Sequence, residues 1–257
     1  MRILIRHGGI VVKPKQLALA LATGALFMSG SIAHSATMPV YTQDFEGFPL
    51  GAGVSVCTPA SGLCYVNRST LPAANWGGGN TNIFAAQSGT PSSYLADSFE
   101  AGGGTGIVSD WLLTPMLTIG NGYTFSFSAR ADADTQTFPD RLQALLSTSG
   151  ASVNVGTTPT GLGVFSLISA ASVINPLLAP GGFPTTWTSY AFTVSGLTGT
   201  TIGRFALRYF LDDDATQGSY IGVDNLVVTA VPEPRSMLLM GLGLSAMALT
   251  LRRKKRK

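Results

Sequence analysis

Between residues 37 and 230 the apolar positions alternate with polar ones, which is the period of a strand with one buried face and not that of a helix. In residues 122–130, Tyr123, Phe125, Phe127 and Ala129 fall on one side, and Thr124, Ser126, Ser128 and Arg130 on the other. Residues 187–194 repeat the pattern with Tyr190, Phe192 and Val194, and residues 141–147 with Leu142, Ala144 and Leu146. In residues 201–210, Ile202, Phe205, Leu207 and Tyr209 supply an apolar side, and Arg204 and Arg208 are assigned to a polar face. Residues 111–119 and 220–229 are further apolar runs rich in β-branched side chains, while residues 75–82 and 101–106 cluster turn formers. Seven or more short strands joined by Gly-rich turns predict an all-β body, a two-sheet antiparallel sandwich of the jelly-roll kind.

The two ends follow other rules. Residues 1–15 are a basic leader, residues 17–28 an apolar run, and small residues follow through Ala36. This is the order of a signal peptide, assigned to residues 1–36 with cleavage between Ala33 and Thr37. A membrane anchor is the poorer fit, because crossing a bilayer takes about 20 apolar residues. At the other end Pro232-Glu233-Pro234 precedes an apolar stretch, 236–251, and a basic cluster, 252–257. The prolines hold the chain extended. The basic cluster is expected to stay cytoplasmic, with 236–251 as a transmembrane helix and the body outside. Residues 231–257 thereby resemble the PEP-CTERM sorting signal of Gram-negative, exopolysaccharide-making bacteria. The resemblance implies an exosortase as processing partner, contact with the inner membrane before processing, and delivery to the cell surface or extracellular matrix.

Charge changes the picture once the ends are set aside. Of sixteen Lys and Arg, eleven lie in the first fifteen or last twenty-three residues, whereas twelve of the thirteen acids lie between. The body therefore carries five bases and a net charge of −7, which excludes a nucleic-acid footprint. Both histidines, His7 and His34, sit in or beside the leader, so triad, Cys-His and His-zinc chemistry in their usual forms are not expected of the body. Carboxylate chemistry needs two opposed acids, and no spacing singles out such a pair; no enzymatic activity is assigned. Cys57 and Cys64, the only cysteines, are expected to form a small disulfide loop in an exported chain. Trp111 and Trp187 adjoin apolar strands and read as core; Trp76, in the loop Asn75-Trp76-Gly77-Gly78-Gly79-Asn80, is the tryptophan assigned to a ligand contact. Asp212-Asp213-Asp214 reads as a solvated turn.

Asp44-Phe45-Glu46-Gly47, Asp110-Trp111-Leu112-Leu113-Thr114-Pro115 and Ile221-Gly222-Val223-Asp224-Asn225-Leu226 occur in that order. The body is in this respect similar to choice-of-anchor J surface domains and, more distantly, to MAM-type jelly rolls. It departs from the latter in lacking their cysteine framework and in the long segment 149–184. The resemblance implies a structural calcium ion where the termini meet, on Glu46 and Asp224, with Asp44 and Asp97 in support. Two functions stand side by side. One is a non-enzymatic surface or matrix protein acting in adhesion or biofilm; the other is a domain that binds or acts on carbohydrate.

Overall fold

The computed structural model describes residues 38–46 and 54–230. The expected signal peptide, the motif Pro232-Glu233-Pro234 and the expected membrane helix lie outside them. Among the described residues no helix is long and apolar enough to cross a membrane.

The alternation of residues 122–130 becomes β8 (Thr124–Ala131), with Phe125, Phe127 and Ala129 buried. It lies between β12 (Thr188–Thr193) and the closing strand β14 (Tyr220–Ala230). The other side of β14 carries β5 (Leu95–Ser98) along its first half and β1 (Met38–Gln43) along its second, and β4 (Gly77–Gly78) ends the sheet. The second sheet runs β10 (Ser166–Leu167), β9 (Leu142–Ser147), β13 (Thr201–Leu211), β6 (Val108–Leu113), β3 (Cys64–Asn67), β2 (Ser55–Val56). Two short strands complete it, β11 (Val173–Ile174) beside β9 and β7 (Leu117–Ile119) beside β13. Every pairing is antiparallel except β2 with β3. The result is the expected two-sheet, jelly-roll-like sandwich.

The inner faces meet in one apolar core that includes Leu112, Phe125, Ala144, Phe205, Leu207, Val223 and Val228. The Phe125 and Phe205 rings join the sheets, stacked with centroids 4.8 Å apart, and a fully buried side chain of this size contributes roughly 1.5–3 kcal/mol.

The second sheet departs from half-burial. All six residues of β6 are buried, and so are Gly203 to Tyr209 of β13. The reason is the segment 149–184, which lies over the outer face: Val155 and Phe165 pack with Trp111, Leu113, Leu145 and Ala206 in a second apolar cluster. Arg204 and Arg208, assigned to a polar face from the sequence, do point outward but are 0% and 1% exposed. Their charge is met by acceptors instead of water. Arg208 donates from Nε to Ser109 Oγ (2.9 Å), from Nη1 to Gln143 Oε1 (3.1 Å), and from Nη2 to the Pro159 carbonyl in the covering segment. Arg204 donates to the carbonyls of Thr114 (2.6 Å), Pro59 (2.8 Å) and Ser61 (3.2 Å). The last two belong to the loop closed by the Cys57–Cys64 disulfide, which is formed.

Trp76 requires a correction of the same kind. It is fully buried in the main core and touches no open surface, because its loop turns inward as β4 pairs with β5. Trp111 is buried as expected. Trp187 is half-buried and packs edge-on to Phe84 and Tyr94, 5.7 and 5.6 Å away, under the 79–93 loop. Asp214, read as part of a solvated turn, is buried and accepts the Gly104 N–H (2.9 Å). Asp212 pairs with Arg141 at 2.7 Å.

Candidate functional site

Acidic groups come together in two places, and an open cleft lies in a third. The first acidic place is the loop 87–93. Asp224 reaches it because β14 slips register against β8 between Asp224 and Val227, where Asn225 takes a positive φ of 51°. The bulge turns the buried Asp224 carboxylate to the Gln87 and Ser88 N–H groups (2.9 and 3.2 Å), with Asn225 N–H on its other oxygen (2.7 Å). Glu46 approaches from the end of the first strand. It accepts Thr90 N–H (2.9 Å), Ser93 Oγ (2.9 Å) and Thr90 Oγ1 (3.4 Å). Between them Gly89 (φ 79°) has no room for a side chain, since a Cβ would stand 1.4 Å from Glu46 Oε1. Burial holds the Asp224 carboxyl above its ordinary range against the pull of its three N–H donors, and the charge of Asp44 adds to that rise. Two of the four acids assigned to calcium, Glu46 and Asp224, thus turn to one loop, and Asp44 acts on Asp224 through its charge. Oxygen ligands suit a hard cation, yet these oxygens are turned to the loop's donors, and among the described residues no three acidic, imidazole or thiol groups converge on one point. Asp97 does not join them. It stands opposite Ile221 on β14 and so faces the core, whereas Asp224, three positions on, faces outward.

Asp97 belongs instead to the second acidic place, inside the sandwich. Its carboxyl on β5 meets that of Asp110 on β6, one from each sheet, closely enough to hydrogen-bond. Each also accepts a backbone N–H on Oδ1, from Ser98 and Trp111 (2.8 and 2.9 Å), and neither Oδ2 takes an N–H or hydroxyl donor. Asp140 is adjacent, held by Tyr209 O–H (2.6 Å) and Ser219 N–H (2.8 Å). Burial pushes Asp97 up to about 8 and Asp140 up to about 6, and lifts Asp110 well above the carboxylate range. All three are nearly or fully buried, so no substrate reaches this pair.

The cleft, of about 370 Å³, lies beside β2 and β3. Val56, the bridged Cys57, Pro72 and Val153 give it apolar walls; Tyr65, Asn67, Arg68 and Asn75 supply its polar groups. Asn67 shapes it from beneath, donating to the Ala74 and Ala101 carbonyls (2.6 and 3.0 Å) and accepting Ser69 N–H (2.8 Å). Arg68 is exposed. Its Nε donates to the Gly156 carbonyl (3.1 Å) and Nη1 reaches the Asn67 carbonyl (3.4 Å). Among the described residues Nη2, the Tyr65 hydroxyl and the Asn75 amide have no hydrogen-bond partner, and no carboxylate pairs with Arg68. The cleft escaped sequence reasoning because its walls come from four separate segments and no local motif marks it.

Residues 230–255 match the PEP-CTERM protein-sorting motif. No curated protein matches the chain. Among solved structures, the K1 cleaved adhesin domain of Lys-gingipain from Porphyromonas gingivalis is 18% identical, covering 76% of this chain and 98% of its own, with a TM-score of 0.44. The K3 domain of the same protein is 19% identical over 75% of this chain and all of its own, at 0.45. A carbohydrate-binding module, TmCBM61, in complex with beta-1,4-galactotriose is 11% identical over 66% and 88%, at 0.34. The sorting motif marks the chain as an exported protein, directed to the surface and handled by an exosortase.

Proposed function

We propose that the exported body is a non-enzymatic surface or matrix protein that associates with extracellular polysaccharide, in adhesion or biofilm, through the cleft beside β3. The observation that carries this reading is the set of uncommitted polar groups on Tyr65, Arg68 and Asn75 around apolar walls. Sugar rings present the matching surfaces, an apolar face and a fringe of hydroxyls. The cleft lining holds no acid, histidine or free thiol, the groups that general acid–base or nucleophilic chemistry requires. The sorting motif supports the location, since it directs the chain to the side of the membrane where such polymers lie. A glycan array probed with the full-length protein tests the reading. Binding to polysaccharide is expected, with loss in Asn75→Trp, which fills the cleft; an array with no bound glycan overturns it.

In the same reading calcium is a structural ion at the meeting of the first and last strands, on Asp44, Glu46 and Asp224. What supports it is that Glu46 and Asp224 turn to one loop, with the Asp44 charge felt at Asp224, in a body of net charge −7. Asp97 is left out of this set.

A further inference from the structure

We infer that the cleft beside β3 selects acidic polysaccharide, taking the carboxylate of a uronic acid residue on the Arg68 guanidinium. This rests on the polysaccharide reading above and names its substrate class.

Charge is the first reason. The body carries twelve acids, yet none lines the cleft, whose single charged group is Arg68. The other four bases of the body are spent within the fold. Arg141 pairs with Asp212, Arg204 and Arg208 are buried on carbonyls, and Arg130 lies 4.2 Å over the Phe84 ring. Among the described residues Arg68 is therefore the exposed cation without a protein anion or aromatic face, in a body of net charge −7 that repels polyanions elsewhere. A polyanion meets least repulsion at this cleft.

Geometry is the second. Two backbone carbonyls fix the guanidinium by Nε and Nη1 and leave Nη2 for a ligand. The Asn67–Ala74–Ala101 bonds hold the wall from which it projects. A guanidinium bonds carboxylate through charge-assisted donors that stay directional in water. The Tyr65 hydroxyl and Asn75 amide add donors for ring hydroxyls, and Val56, Pro72 and Val153 give the ring an apolar bed.

The test measures binding of the full-length protein to polygalacturonate, dextran and dextran sulfate at low and high salt. Polygalacturonate is expected to bind, with affinity falling as salt rises. Arg68→Gln should weaken it about tenfold or more, the scale of one charge-assisted bond. Arg68→Lys should recover part of that loss, and dextran binding should not respond to either change. Arg68 is exposed, so unchanged melting of both variants separates lost contact from lost fold. Equal binding of polygalacturonate by Arg68→Gln overturns the inference, as does preference for dextran sulfate. Binding of dextran alone overturns the acidic selection and leaves the polysaccharide reading standing. Binding of none of the three overturns the acidic selection too, and a blank glycan array beside it overturns the broader reading.

Discussion

Asp97 and Asp110 join the two sheets through their carboxyl groups, each fully withdrawn from water and each holding one oxygen for the other. Two ionised carboxylates at this distance in the interior repel strongly. The folded state therefore keeps a proton on the pair.

This relationship fixes the sign of the pH dependence. An unfolded chain releases the aspartate protons near pH 4, whereas burial holds Asp97 to about 8, Asp140 to about 6, and Asp110 well above the carboxylate range. Between those limits the folded state binds more protons, so stability is greatest at the acid end and falls as pH rises, by about 1.4 kcal/mol per pH unit for each extra proton held. Asp140 lies beside the pair, its charge helps to raise Asp97, and its own raised pKa adds to the trend. Urea midpoints between pH 5 and 8.5 should decline. Asp110→Asn should flatten the decline, because an amide supplies the donor without titrating. A wild-type midpoint constant over that range would refute the shared proton.

Arg208 should be the most costly of the outward-facing side chains to lose. Arg208→Ala strands the Pro159 carbonyl and Gln143 beneath the covering segment and removes the contact over Trp111 and Phe210, 5.0 and 3.7 Å from the two rings. A loss of about 3 kcal/mol is expected, and limited proteolysis should cut within residues 149–184 first. Arg208→Lys should fall between, having one charged centre for three acceptors. A proteolysis pattern unchanged in Arg208→Ala would show that the segment is held without it.

The Cys57–Cys64 bridge closes a short loop, for which chain entropy gives about 2–3 kcal/mol. Arg204 grips the same loop at Pro59 and Ser61, so reduction should lower the melting temperature by about 5–10 °C and leave the sandwich folded. Arg204→Ala combined with reduction should cost more than the two separately. Collapse of the fold on reduction alone would contradict this division.

Calcium should raise the melting temperature and chelator lower it, by roughly 2.7 kcal/mol in stability at a hundredfold excess over Kd. Asp224→Asn should lose the response and Asp213→Asn, at the remote turn, should keep it. A melt indifferent to calcium after stripping would leave the loop's own N–H groups as the whole partner of these acids.

Protein recovered from the cell surface should lack residues 235–257 by intact mass, the tail having been removed or exchanged at Pro232-Glu233-Pro234. Recovery of the intact tail would count against processing there.

The sequence by itself determined what depends on neighbours along the chain. Period-two alternation placed β8, β9 and β12, because a strand shows its two faces to itself every second residue. The sorting signal was legible because it works as a linear segment, and the disulfide because two cysteines allow one pairing. Tertiary structure decided what lies on the second face of each strand. Arg204 and Arg208 alternate like solvent-facing residues, and only the bridged 57–64 loop over the first and the return of residues 149–184 over the second make them interior. Trp76 sits among glycines as an exposed residue would, until β4 turns it into the core. Asp97 and Asp224 look alike as strand acids. The pairing of β5 with β14 sends one inward to Asp110 and the other outward to the 87–93 loop. Each of these contacts joins residues far apart in the chain, so no local pattern encodes it and packing alone selects it.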